Sequence, residues 1–147
     1  MNNDAGRTLI LIKPDAVKKN AIGAILKRFE DEGFKIKMLK MLKLSKEDAK
    51  EFYSVHSSKP FFNELVDFIT SGPIVAAVIE GNTNDTIARV RSIIGATDPR
   101  KAEKGTIRHI YGTNITENAV HASDSLDSFL REVKVIFKDY EINQDLS

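Results

Sequence analysis

The chain has 147 residues, with 22 Lys plus Arg against 21 Asp plus Glu and no cysteine. That length suits one domain whose core needs no metal or disulfide. The missing cysteines exclude a disulfide framework, a thiolate zinc site and a cysteine nucleophile, and a net charge of +1 argues against dedicated nucleic-acid binding. No apolar run approaches the roughly 20 residues that cross a bilayer. The polar start Met1-Asn2-Asn3-Asp4 lacks a signal-peptide pattern. A cytoplasmic protein with no membrane association is expected, a single domain over residues 1–147 with 1–6 and 139–147 as surface tails.

In chain order, Thr8-Leu9-Ile10-Leu11-Ile12 is an apolar, partly β-branched run stopped by Lys13-Pro14, which reads as a buried strand. Ile22, Ile25, Leu26 and Phe29 share a helical face, and Gly33 marks a stop. Phe34 to Leu39 partly alternates, as a half-buried strand does. Ser45 with Asp48 fits a capping box and predicts a helix to about Val55. Pro60 opens another helix, with Phe61, Leu65 and Phe68 on one side, and Ser71-Gly72-Pro73 breaks it. Ile74-Val75-Ala76-Ala77-Val78-Ile79 is the most apolar run and reads as a central strand. Ile87, Val90, Ile93 and Ile94 mark a helix closed by Gly95.

From Ala96 to Glu117 the periodicity fades. Loops of that length without periodicity are uncommon and often functional. Asn118-Ala119-Val120-His121 then forms a short strand-like segment, and Leu126, Phe129, Val133, Ile136 and Phe137 mark a final helix from about Ser125 to Phe137. Alternating strands and helices suggest an α/β sandwich with a small sheet.

His121 is the side chain with most chemical promise. It sits at a strand-to-helix junction, where packing fixes the backbone and one side chain is presented. Near pH 7 imidazole offers a lone pair that can accept a phosphoryl group. Alone, any one of these residues has an ordinary structural explanation. Lys13 could be a solvated strand end, Phe61 and Tyr53 core residues, and Arg91 and Arg108 surface charges. Glu132 could pair with Arg131 or Lys134, Ser123 could cap the last helix, and Asn118 could serve a turn.

The ordered set changes that. Thr8-Leu-Ile-Leu-Ile-Lys-Pro-Asp15 and Asn118-Ala-Val-His-Ala-Ser-Asp-Ser125 strongly resemble the opening strand and active-site signature of nucleoside diphosphate kinases. Tyr53 with His56, Lys59-Pro-Phe-Phe62, Ser71-Gly-Pro73, Arg91-Ser-Ile-Ile-Gly-Ala-Thr-Asp-Pro99 and Gly105-Thr-Ile-Arg108 lie between them in order. The resemblance spans residues 7–137.

It implies a ferredoxin-like α/β (α+β) sandwich with a small antiparallel sheet covered by helices. It also implies a ping-pong exchange between nucleoside tri- and diphosphates, ATP and ADP among them, through a phosphorylated His121, with broad base specificity. Within that pattern, Lys13 and Tyr53 lie beside the phosphates and Lys13 reaches the sugar hydroxyl. Arg91, Thr97 and Arg108 hold the diphosphate, Asn118 bonds the sugar 3′-hydroxyl, and Phe61 stacks on the base opposite Ile115. Glu132 orients the imidazole and Ser123 supports Glu132. Mg2+ arrives on the nucleotide phosphates, with no metal site of the protein's own. A homo-oligomer, hexamer or tetramer, is the family expectation.

The sequence departs from the pattern in a few places. Two residues are inserted between Gly81 and Arg91, so spacing from Gly81 favours Arg89 as the phosphate arginine. Spacing to Gly95 and Thr97 favours Arg91, which is preferred because those residues belong to the same segment. Ala122 replaces a common Gly, Lys104 a common Pro, and His109 a common Gly. His56 is expected near Tyr53, and His109 exposed on the loop. Two rivals stand beside the kinase: a nucleotide-binding module without turnover, and a nucleic-acid-binding sheet.

Overall fold

Period-2 strands with both faces apolar need helices on both sides, and the sequence supplies them. The computed structural model describes residues 6–140. Of the expected tails at 1–6 and 139–147, residues 1–5 and 141–147 lie outside the described residues. Four strands, β1 (Arg7–Ile12), β2 (Lys35–Leu42), β3 (Ile74–Glu80) and β4 (Val120–Ala122), form one sheet in the order β2-β3-β1-β4. All three pairings are antiparallel. The helices are α1 (Pro14–Lys18), α2 (Ile22–Asp31), α3 (Lys46–Phe52), α4 (Phe62–Ile69), α5 (Thr86–Ile94), α6 (Ile107–Tyr111) and α7 (Leu126–Ile136). This is the ferredoxin-like α/β sandwich expected from the sequence.

The sheet separates two apolar layers. Leu9, Leu11, Ala76 and Val78 face one way and pack with Phe52 of α3, Val66 and Ile69 of α4, and Phe129, Val133 and Ile136 of α7. Ile10, Ile12, Ala77 and Ile79 face the other way, against Ile25 and Phe29 of α2 and Val90 and Ile94 of α5. Each fully buried aliphatic side chain contributes about 1.5–3 kcal/mol from its removal from water.

Two stretches of backbone aim side chains at the end of the sheet. β1 ends at Ile12, and Lys13 continues the extended chain as the N-cap of α1, so its side chain extends the Leu9–Leu11 face. β4 is a short edge strand on β1, with His121 opposite Leu11. Val120 and Ala122 belong to the α2/α5 layer, so period-2 alternation turns His121 toward α3 and α7.

Several boundaries differ from the sequence expectation. The helix opened by Ser45, whose Oγ accepts the Asp48 N–H at 3.1 Å, ends at Phe52. The chain then tightens into a 3-10 turn at Ser54–His56, so no helix reaches Val55. The stretch 96–117 is not a bare loop. It holds a 3-10 turn at Pro99–Lys101 and α6, capped by the Thr106 side chain. His109 is exposed, as expected, but on α6 rather than on a loop. Helices of three to five residues complete too little of the 3.6-residue period to leave a pattern, and α1 escapes notice for the same reason. Tyr140, assigned to a surface tail, is buried, with its ring 5.8 Å from that of Phe129.

Candidate active site

Glu132 occupies the apolar stripe of α7, three residues after Phe129 and one before Val133, and is itself buried. A carboxylate there needs hydrogen-bond donors. His121 Nε2–H donates to its Oε1 at 2.8 Å, and the Ser123 hydroxyl donates to the same oxygen at 2.9 Å. Arg131 Nη2 approaches Oε2 at 3.4 Å. With Nε2 carrying the proton, Nδ1 keeps its lone pair. The ring lies edge-on to Phe52, centroids 5.0 Å apart, and to Tyr53, 6.4 Å. His121 is 22% exposed and lines a cavity of about 430 Å³.

The cavity brings together Lys13, Tyr53, Phe61, Arg91, Thr97, Arg108, Ile115, Asn118, His121 and Glu132. Ser123, the remaining residue expected at the site, lies behind Glu132 and is fully buried. The cap of α7 is a different serine, Ser125, whose Oγ accepts the Ser128 N–H at 3.1 Å. Asn118 is buried. Its Nδ2 donates to the Thr97 and Ile115 carbonyls at 3.0 and 3.2 Å. Its Oδ1 accepts from Lys13 Nζ at 3.0 Å, and Nζ also donates to the Thr116 carbonyl at 2.6 Å. Phe61 and Ile115 are 42% and 56% exposed, so both present open apolar surface at the cavity.

The two arginines are placed by β4. An edge strand leaves carbonyls without a ladder partner. Here Arg108 Nε and Nη2 donate to the Val120 carbonyl at 3.2 and 2.9 Å, and Arg91 Nη1 donates to the Ala122 carbonyl at 3.1 Å. The carbonyls on either side of His121 are thus held by guanidinium groups that also face the cavity. Arg108 Nη1 donates to the Gly95 carbonyl at 3.0 Å. Gly95 has φ of 95°, and a Cβ there would stand 2.5 Å from Thr106 Oγ1. Glycine at this position lets α5 end hard against the start of α6. Arg89, the alternative arginine, lies elsewhere: its guanidinium sits 4.5 Å over the Phe34 ring, and Nη2 donates to the Glu32 carbonyl at 3.1 Å.

Burial dominates the electrostatics. It pushes the Lys13 ammonium down to about 8, opposed by nearby Asp15 and reinforced by Arg108. It pushes the Arg108 guanidinium down to about 10, with Arg91 adding to the shift. Burial and the Glu132 charge raise the Tyr53 phenol well above its ordinary value, so Tyr53 remains a hydroxyl donor.

Two participants escaped the sequence reading, and a third, Arg131, was weighed only as an alternative partner of Glu132. Phe52, against the His121 ring, is indistinguishable in sequence from any core phenylalanine. Arg131 reaches Glu132 and the Phe52 carbonyl, at 3.4 and 3.0 Å. Asp15, within the motif but without an assigned role, accepts the Ala119 N–H at 3.0 Å. His56 also lines the cavity; its backbone N–H donates to the Tyr53 carbonyl at 2.8 Å, and its ring lies 5.7 Å from Phe61.

A ferredoxin-like sandwich with an imidazole and buried cations around a nucleotide-sized cleft defines a phosphate-handling protein. Comparison with known proteins makes this specific. The family model for nucleoside diphosphate kinase matches residues 6–142. The nucleoside diphosphate kinase of Staphylothermus marinus is 57% identical over 92% of this chain and 95% of its own. That of Persephonella marina is 52% identical over 92% and 96%. The Aquifex aeolicus nucleoside diphosphate kinase structure superposes with a TM-score of 0.87 at 54% identity, covering 93% of this chain and 98% of the other. The Halobacterium salinarum enzyme, solved in complex with CDP, gives 0.86 at 42% identity, covering 95% and 91%. The chain belongs to the nucleoside diphosphate kinase family, and its activity is phosphotransfer from ATP to a nucleoside diphosphate. No helix among the described residues is long and apolar enough to cross a membrane.

The depressed Lys13 value has a measurable sign. Between about 8 and the ordinary 10.5 the unfolded chain holds a proton on Lys13 that the folded chain lacks, so stability of the nucleotide-free protein rises with pH across that window. Urea titrations between pH 8 and 10.5 should show the rise, and Lys13→Met should flatten it.

Proposed function

We propose that the exchange is ping-pong, through a phosphohistidine at His121, with broad base specificity. One observation carries the reading: an imidazole tethered through Nε2 to a buried carboxylate, its Nδ1 without a partner among the described residues, at a cavity walled by Lys13, Arg91 and Arg108. Nδ1 attacks the γ-phosphorus of a triphosphate in line, the bond to the β,γ-bridging oxygen breaks, and the diphosphate leaves. The ring becomes cationic while its Nε2 proton stays in the bond to Glu132, whose charge offsets it. A second diphosphate then takes the phosphoryl group by the reverse step, so one cleft serves donor and acceptor. Such transfer is mostly positioning and charge stabilisation.

Lys13 and Tyr53 donate to the phosphates; Lys13 also donates to a sugar hydroxyl, and Asn118 Oδ1 accepts from one. Arg91, Arg108 and Thr97 hold the diphosphate; each guanidinium has N–H donors beyond those spent on the chain. Phe61 and Ile115 take the base between them, and stacking suits any base because each has a π-face. Mg2+ carried in with the nucleotide would supply further charge neutralisation at the phosphates. The cationic cleft fits a metal that arrives with its nucleotide rather than one caged by the protein. A cytoplasmic location accords with nucleotide substrates and is checked by cell fractionation.

A homo-oligomer, tetramer or hexamer, belongs to the same reading. The outer edge of β2 has no strand partner among the described residues, and it carries Leu39 and Met41, 51% and 56% exposed. Exposed apolar edges of this kind invite pairing.

Three outcomes are expected. Incubation with γ-labelled ATP and Mg2+ gives an acid-labile, base-stable phosphoprotein; His121→Ala abolishes the label and EDTA suppresses it. Label persisting unchanged in the variant would mean another nucleophile. Phe61→Ala weakens ADP, GDP, CDP and dTDP alike, by about 1–3 kcal/mol each; calorimetry showing loss for one base only contradicts broad stacking. Sedimentation shows an assembly larger than the 16.4 kDa chain, reduced by Leu39→Lys with Met41→Lys, whereas a monomeric wild type overturns the oligomer.

A further inference from the structure

Ala119 stands two residues before His121 with φ of 74°. The left-handed region costs an L-residue roughly 1–2 kcal/mol, and such strain persists only where the surroundings over-determine it. The turn is tight, with the Val120 N–H donating back to the Asn118 carbonyl at 2.9 Å. What holds it comes from the far end of β1. The Lys13 backbone N–H donates to the Ala119 carbonyl at 2.8 Å, and the Ala119 N–H donates to Asp15 Oδ2 at 3.0 Å. Ala119 is therefore gripped at both its N–H and its C=O by residues 13–15, more than a hundred positions away in the chain.

Asp15 is an expensive residue to keep there. It is buried, and its Oδ1 has no hydrogen-bond partner among the described residues. Burial raises its carboxyl above the ordinary range, opposed chiefly by Lys13. It caps no end of its own helix, since the N-cap of α1 is Lys13 and makes no side-chain cap bond. Its charge-assisted bond goes to the strained peptide.

We propose that Asp15 is a positioning residue, whose Oδ2 fixes the left-handed Ala119 peptide and thereby the line along which the His121 ring meets phosphorus. The inference rests on the phosphohistidine reading. The β4 segment is short, and its pairing with β1 begins only at Val120. Upstream of that pairing, the Ala119 peptide fixes how the chain enters β4 and His121, while the Glu132 bond holds the far side of the ring. A phosphoryl acceptor misplaced by about an ångström can lose on the order of a hundredfold in rate.

Two substitutions separate position from charge. Asp15→Asn removes the charge but keeps an oxygen that can accept the Ala119 N–H. Asp15→Glu keeps the charge but moves it by a methylene. Single-turnover phosphorylation by γ-labelled ATP and ADP affinity by calorimetry are measured across a pH series that runs well below the Lys13 value of about 8. Asp15→Asn and Asp15→Ala remove a charge that holds that value up, so the variants are compared on the plateau where Lys13 is cationic in each. Asp15→Glu and Asp15→Ala should lose about 10- to 100-fold in the phosphorylation rate constant. ADP affinity should change by no more than about threefold, and Asp15→Asn should retain most of the wild-type rate. The Asn and Glu variants carry the test if Asp15→Ala does not fold. Asp15→Glu at the wild-type rate, or Asp15→Asn as slow as Asp15→Glu, overturns the proposal while the labelled wild type leaves the phosphohistidine intact. A wild type that takes no label at His121 overturns both.

Discussion

A single carboxylate oxygen organises the site. Oε1 of Glu132 receives the His121 Nε2–H and the Ser123 hydroxyl, and these two bonds stabilise a charge that the apolar stripe of α7 would otherwise reject. The consequence runs both ways. α7 can pack on the sheet only if the carboxylate finds donors, and β4 supplies them in register only because it pairs with β1. Fixing one ring nitrogen then determines the other. The hydrogen bond that satisfies the core leaves Nδ1 as the basic atom, so the packing of α7 and the chemistry of the imidazole are settled by one contact.

Around that ring the protein accumulates cations that burial disfavours. Lys13 and Arg108 are both pushed below their ordinary values, first by desolvation, with cationic neighbours adding to it. Backbone carbonyls of β4, Gly95 and Thr116 and the Asn118 amide oxygen partly compensate. An anionic ligand in the cleft relieves like-charge repulsion that the protein alone only partly offsets. The same guanidinium groups close the open edge of β4, so the structural need to satisfy an edge strand and the functional need to gather charge are met by the same two side chains.

The departures from the family pattern are absorbed locally. Between Gly81 and α5 the chain bends and turns over residues 82–85, ahead of the first helical residue, Thr86. The helix stops at Gly95, and on it Arg91 faces the cavity while Arg89 packs on Phe34. Ala122 is buried opposite Ile10, where a methyl group fills space in the α2/α5 layer. Lys104 and His109 are both exposed, and neither lines the cavity.

Much was legible in the sequence because it is periodic or local. The apolar runs at 8–12 and 74–79, the helical faces of α2, α5 and α7, and the stop at Gly95 are one-dimensional signals, and they emerge as the central strands and long helices. The site residues were legible only as an ordered motif. No spacing in the chain says that Glu132 meets His121 rather than Lys134. The two spacings around Arg91, from Gly81 and to Gly95, point to different arginines, of which the structure turns inward the one the downstream spacing favours. Those outcomes depend on which face of α5 and α7 the sheet covers, and on the register of β4 against β1. The same holds for Asp15, for Phe52 and for the Arg131 contact with the Phe52 carbonyl, whose partners lie far away in sequence. Sequence alone determined which segments bury themselves and which family they spell. Only the tertiary structure decided which polar groups share a desolvated space, because that depends on long-range pairing, and desolvation is what gives those groups their chemistry.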